Sequence, residues 1–189
     1  MKIGLFFGSF NPIHIGHLII ASFIKNNTDL QKVWLVVSPQ NPLKPSNTLL
    51  NEYHRLHLVK LAVEDDAALD VSDIEFKLPK PSYTIDTLTY LTEKYPQHQF
   101  SVIMGSDSYQ NISKWKNADC LQQSYHLYLY LRPEFPVENP PANVSIIPAP
   151  MLEISATQIR SLIQQNKSIR YLVPDKVREE IEQNRYFKS

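Results

Sequence analysis

A chain of 189 residues with 19 Lys+Arg against 19 Asp+Glu carries no net charge at neutral pH, and 43% of it is hydrophobic and 20% charged. Such a length buries roughly 70% of its unfolded surface without disulfide or metal staples; the balanced charge excludes a broad nucleic-acid-binding field but leaves room for a local basic pocket. The single cysteine, Cys120, excludes a disulfide framework and a cysteine-built zinc site, fits a reducing cytosol, and reads as a small buried hydrophobe.

The opening apolar run, IGLFFG, is too short for a signal peptide, and the longest apolar stretch, LIIASFI (18–24), falls far below membrane-spanning length. A cytoplasmic location without a membrane partner is therefore expected. Strand one is the run KIGLFFG (2–8). A helix follows over 17–27, with Leu18, Ala21 and Ile24 as its apolar stripe. KVWLVVS (32–38) is a second buried strand, with Trp34 in the core. Residues 51–65 form a helix that Asn51 can cap, and His54 and His57 are exposed on it. LDVSDIEF (69–76) alternates as a strand, and 82–95 is a helix with Ser82 or Thr84 near its cap. QFSVIMG (99–105), HLYLYLR (126–132) and NVSIIP (143–148) are strands, and 155–166 and 174–186 are two closing helices.

Continuous apolar strands interleaved with helices predict a doubly wound, Rossmann-like α/β fold, a parallel sheet with helices on both faces. Residues 1–150 read as the sheet core and 151–189 as a short C-terminal helical segment of one domain. In such sheets ligands bind outside the carboxyl ends of the strands. The chemically unusual segments lie there: GSFNPIHIGH (8–17), PQNPLKP (39–45), GSDSYQNISKW (105–115) and RPEFP (132–136) each follow a strand.

GSFNPIHIGH holds two of the four glycines and two of the six histidines. Gly8 lets bare backbone approach a ligand, Pro12 delays the helix, and Gly16 and His17 open it. A helix start with His14 and His17 on one face suits a polyphosphate, whose charge would favour protonated imidazole. No G-x-G-x-x-G follows strand one and no P-loop is present, which argues against a common redox dinucleotide fold and a P-loop kinase. In ISATQIR (154–160), Ser155 or Thr157 can cap the next helix and leave N–H groups for phosphate, with Arg160 one turn on. Trp115 can stack on a flat ring.

His14-Ile15-Gly16-His17 resembles the signature of the HIGH nucleotidyltransferase superfamily. Taken with NPLK (41–44), PSYTIDTL (81–88), GSDSYQNISKW, ISATQIR and the closing helix, nearly the whole chain resembles the nicotinate-nucleotide adenylyltransferase family. Three positions depart from its pattern: Leu43 stands for His, Ala156 for Ser, and Glu134 for Gly. The resemblance implies transfer of an adenylyl group from ATP to nicotinate mononucleotide by direct in-line attack, releasing pyrophosphate in NAD biosynthesis, with Mg²⁺ carried mainly by the ATP phosphates. It implies catalytic roles for His14, His17, Lys44 and Arg160. ATP would meet Gly8, Ser9, Phe10, Asn11, His14, His17, Gly105, Asp107, Ile154, Ser155, Thr157 and Arg160; the nicotinate nucleotide would meet Asn41, Lys44, Thr84, Trp115 and Arg132. No nucleic-acid partner is expected, and a homo-oligomer is compatible with the sequence. Nicotinamide mononucleotide or phosphopantetheine as acceptor, and a non-catalytic nucleotide sensor, are the alternatives.

Overall fold

A computed structural model describes residues 1–40, 49–150 and 152–188. Its sheet consists of β1 (Lys2–Gly8), β2 (Lys32–Val37), β3 (Leu69–Ser72), β4 (Gln99–Gly105), β5 (His126–Tyr130) and β6 (Val144–Ile147). The strands run in the order β3-β2-β1-β4-β5-β6, all parallel. The helices are α1 (Ile15–Asn26), α2 (Glu52–Val63), α3 (Thr84–Lys94), α4 (Ser106–Gln110), α5 (Ala118–Ser124), α6 (Ala156–Gln164) and α7 (Asp175–Gln183).

Successive strand residues point to opposite faces, so the sheet serves two cores. Phe6, Val33, Leu35 and Ile103 pack with Ala21 and Ile24 of α1, Val59 of α2, Ile163 of α6 and Ile181 of α7. On the other face, Leu5, Val36, Val102 and Leu127 meet Leu88 of α3 and Leu121 of α5. The doubly wound α/β fold expected from the strand pattern is the one observed.

Several details differ from the sequence expectation. β3 ends at Ser72, because the chain turns into a 3₁₀ turn at Ile74–Lys77, with the Phe76 N–H donating to the Asp73 carbonyl (2.9 Å). α1 starts at Ile15, two residues early, with His14 at its N-cap position. The segment after β4 holds α4, a 3₁₀ turn at Ile112–Lys114, and α5. These are too short and polar to show a helical period. Cys120 lies exposed on α5 and not buried, because Leu121 takes the inward position. Trp34, half-buried, packs against Tyr95 and Phe100 as core.

One buried side chain joins the loops above the sheet. Arg55 of α2 is 1% exposed. Its Nε donates to the Leu50 carbonyl (2.8 Å), Nη1 to those of Ser9 (2.5 Å) and Ser38 (2.7 Å), and Nη2 to that of Pro39 (2.9 Å). Burial, opposed by nearby Glu52, draws its pKa down to about 10, which leaves it charged at neutral pH. The Ser38 N–H in turn donates to the Gly8 carbonyl (2.9 Å), so the chain leaving β1 and the chain leaving β2 are bound to each other and to α2.

Truncation of Arg55 to Ala strands these four carbonyls and should destabilise the fold by about 3–5 kcal/mol. Arg55→Lys should recover only part of that, since one ammonium cannot fork to four acceptors. Urea unfolding of the two variants checks this; a loss below about 1 kcal/mol for Arg55→Ala, the level of an ordinary surface change, would contradict it.

Candidate active site

The strand order reverses between β1 and β4, which opens a crevice at their carboxyl ends. A cavity of about 1030 Å³ fills it. Its walls include Gly8 to Asn11, His14, Gly16 and His17 from the β1–α1 connection, Ser82 to Ile85 at the head of α3, Gly105 and Asp107 after β4, Trp115, Arg132 after β5, and Ile154 to Thr157 with Arg160 around the start of α6. Of the residues expected in the site, only Asn41 and Lys44 lie outside the described residues, together with the departure at Leu43.

Within GSFNPIHIGH the two glycines answer to neighbouring rings. A Cβ on Gly8 would lie 2.8 Å from the Phe10 ring, and one on Gly16 would lie 3.1 Å from Nδ1 of His14. The Phe10 ring thus occupies the space that a side chain at Gly8 would need, while Gly8 itself lines the cavity. Phe10 is 1% exposed with φ at 44° and meets Phe6 and His17 edge to face. The Asn11 side chain, also buried, accepts from the Leu50 N–H (3.0 Å). Phe10 and Asn11 thus shape the wall with their side chains tied inward.

His14 and His17 stack with ring centroids 3.6 Å apart and planes inclined 23°. The backbone N–H of His14 donates to Nδ1 of His17 (3.3 Å), which fixes that ring nitrogen as an acceptor. Nδ1 of His14 is buried without a hydrogen-bond partner. Burial first, and the charge of Arg132 second, pull the His14 pKa down from its ordinary value to about 4, so it is neutral at pH 7. The first N–H of α1, that of Ile15, is taken by the Leu172 carbonyl (2.9 Å). The anion-binding capacity of this helix start therefore falls to the imidazoles and to Gly16, which lines the cavity.

Arg160 reaches across from α6. Its Nη1 donates to the Asn11 carbonyl (2.8 Å) and Nη2 to the Thr157 hydroxyl (3.3 Å). Ser155, not Thr157, caps α6 by accepting from the Gln158 N–H (3.1 Å). Arg132 lies with its guanidinium 5.2 Å over the Tyr130 ring, and its backbone N–H donates to the Ser106 hydroxyl (2.8 Å). Asp107 sits in the first turn of α4, folded back toward Gly105, where a Cβ would collide with its Oδ1. Thr84 is the first residue of α3, and among the described residues no side chain caps this helix. Trp115 is half-buried at the same rim. His54 and His57 lie exposed and apart from the cavity, beside Tyr186 (2.9 Å) and Glu180 (3.4 Å) respectively.

Two buried charged residues escaped the sequence reading. Arg55 had a signal: it falls four residues before Val59 and eight before Val63, on the buried stripe of α2, where a charge needs a partner. Glu75 had none, because an alternating strand and a 3₁₀ turn read alike over four residues. It is 2% exposed and accepts from the Ser82 hydroxyl (2.7 Å) and the Thr87 hydroxyl (3.0 Å).

A cytidylyltransferase-like family model matches residues 5–162. A probable nicotinate-nucleotide adenylyltransferase of Cytophaga hutchinsonii is 52% identical, covering 100% of both chains, and one of Flavobacterium psychrophilum is 50% identical over the same shares. The chain belongs to the nicotinate-nucleotide adenylyltransferase family. In fold it is similar to the nicotinic acid mononucleotide adenylyltransferase of Plasmodium falciparum complexed with NaAD, at 19% identity and a TM-score of 0.82, with 98% of this chain and 97% of that one covered.

Members of this family are nucleotidyltransferases. Among the described residues no three His, Cys, Asp or Glu side chains converge as a metal nest, and no described helix is long and apolar enough to cross a membrane. The cavity instead gathers imidazoles and guanidinium groups, a donor set suited to phosphate oxygens.

The buried neutral His14 also sets a pH dependence of stability. The unfolded state takes up a proton near 6.5 and the folded state only near 4, so stability contributed above 6.5 is lost as pH falls between those values. His14→Gln should shrink the difference in unfolding free energy between pH 7 and pH 5 by about 1–2 kcal/mol. Denaturant titrations at both pH values test this, and an unchanged difference would show that His14 titrates normally.

Proposed function

We propose that this chain joins the adenylyl group of ATP to nicotinate mononucleotide, giving nicotinate adenine dinucleotide and pyrophosphate in NAD biosynthesis. The observation that carries this reading is the convergence of His14, His17, Arg132 and Arg160 on one cavity whose far wall is the uncapped head of α3. Family membership supports the choice of nucleotide, as does the Plasmodium neighbour, a nicotinic acid mononucleotide adenylyltransferase complexed with NaAD.

The chemistry demands little proton transfer. A phosphate monoester, with a second pKa near 6, is already largely dianionic at pH 7. One of its oxygens attacks the α-phosphorus of ATP, a new P–O bond forms, and the bond to the β-phosphate oxygen breaks to release pyrophosphate. Two anions must be brought in line and the developing charge spread. His14 and His17 supply donors at the start of α1, and a bound triphosphate would draw them toward the charged form. Arg160, held by Asn11 and Thr157, points a planar cation at the same oxygens. Gly8, Ser9, Gly105, Asp107, Ile154 and Ser155 complete the ATP side. Arg132 and Trp115 serve the mononucleotide, as do Asn41 and Lys44 on the strength of the sequence. Thr84 presents the positive end of α3 to the pyridine carboxylate. Mg²⁺ would ride on the phosphates and neutralise part of their charge, with Asp107 the adjacent carboxylate. We read 1–189 as one catalytic unit, because α6 and α7 share the core of the sheet, and place it in the cytoplasm, where the exposed Cys120 thiol stays reduced.

Incubation with ATP, Mg²⁺ and, separately, nicotinate mononucleotide, nicotinamide mononucleotide or phosphopantetheine, followed by chromatography, tests the assignment. Nicotinate adenine dinucleotide should form fastest; its absence sinks the proposal. His17→Ala should lower kcat on the order of 10²–10³-fold, the usual loss of one preorganised donor, and a change of only a few-fold would remove His17 from the phosphate site.

A further inference from the structure

The most unusual polar cluster beside the cavity takes no part in the adenylyl transfer itself. Glu75 (2% exposed), Ser82 (7%) and Thr87 (0%) form a buried group with the carboxylate at its centre. Its Oε2 accepts from Ser82 and its Oε1 from Thr87, and the Ser38 hydroxyl donates to it as well. A carboxylate inside a protein is expensive unless its lone pairs are met, and here three hydroxyls meet them.

The three donors come from functionally different places. Ser38 leaves β2, and its carbonyl is one of the four held by Arg55. Ser82 immediately precedes the N-cap residue of α3, and Thr87 lies one turn inside that helix, with its hydroxyl also 3.3 Å from the Tyr83 carbonyl. Serine near a helix start ordinarily turns its oxygen to the free N–H groups of the first turn. At this helix the Ser82 hydroxyl faces Glu75 instead, and Tyr83 at the N-cap contributes no side-chain bond. Glu75 therefore ties the residue before the N-cap and the second turn of α3 to one point, which fixes the path of the helix head along the cavity wall.

We infer that Glu75 is a positioning residue for the mononucleotide half of the reaction: by holding the hydroxyls of Ser38, Ser82 and Thr87, it sets the Tyr83–Thr84 wall against which the acidic pyridine ring docks. This rests on the nicotinate reading of the site. Glu75 does not touch the substrate. It acts through the backbone of residues 82 to 84, on the α3 wall of the cavity.

Steady-state kinetics of Glu75→Gln and Ser82→Ala, with both substrates varied, test it. Glu75→Gln keeps the volume but puts an amide donor where a hydroxyl donates. It should raise KM for nicotinate mononucleotide about tenfold, the scale of one disturbed charged hydrogen bond, with KM for ATP within twofold of wild type. The preference for nicotinate over nicotinamide mononucleotide should fall in parallel. Ser82→Ala, which leaves Glu75 its other two donors, should shift KM in the same direction by a smaller factor while thermal unfolding stays near wild type. If Glu75→Gln fails to fold, Ser82→Ala and calorimetric binding of nicotinate mononucleotide to it carry the test alone. Unmoved mononucleotide KM and binding, or equal changes for ATP and mononucleotide, overturn the inference while wild-type turnover upholds the substrate reading. Absence of wild-type turnover with nicotinate mononucleotide overturns both.

Discussion

Everything above the sheet depends on a positive charge buried without a carboxylate bonded to it. Arg55 is matched by four backbone carbonyls, and these belong to the chain segments that leave β1 and β2 and enter α2. An aliphatic side chain of the same bulk would fill the space but leave those oxygens dry, so the loops could not lie where they do. The arrangement also places a fixed cation behind Ser9, one residue beyond the end of β1. A charge there adds to the field in the crevice without being available for neutralisation by solvent.

On that support the cavity brings the two imidazoles of the β1–α1 connection together with the guanidinium groups of Arg132 and Arg160. His14 and His17 face each other at stacking distance, a geometry that tolerates two neutral rings and opposes two imidazolium ions. A nearby Arg132 works in the same sense on His14. Two stacked rings of this kind favour the neutral form of each other, so the charge state of one bears on that of its neighbour.

The sheet was legible because strands buried on both faces must be apolar throughout, and KIGLFFG, KVWLVVS and QFSVIMG are. The placement of the unusual residues after strands was equally legible, and it led to the cavity at the β1–β4 reversal. What escaped were features set by tertiary contact. The helices after β4 are a turn or two long and have no period to read. That the Phe10 ring also requires a glycine at position 8 is a contact no local pattern shows. Ser82 and Thr84 were both credible caps, yet a carboxylate seven residues before Ser82 turns its hydroxyl away, a choice no local pattern encodes. Cys120 fell on the outer face of a helix that the sequence did not reveal, so its expected burial rested on residue type alone.

The start of α1 is finished from the other end of the chain. The N–H of Ile15 is held by the Leu172 carbonyl, and the carbonyl of Asn11 by Arg160. During synthesis the sheet strands emerge first, yet the HIGH segment lacks these two partners until α6 and the turn before α7 have been made. The segment that opens α1 is therefore completed last, and a chain that stopped before α6 would lack both these bonds and the apolar residues that α6 and α7 add to the core.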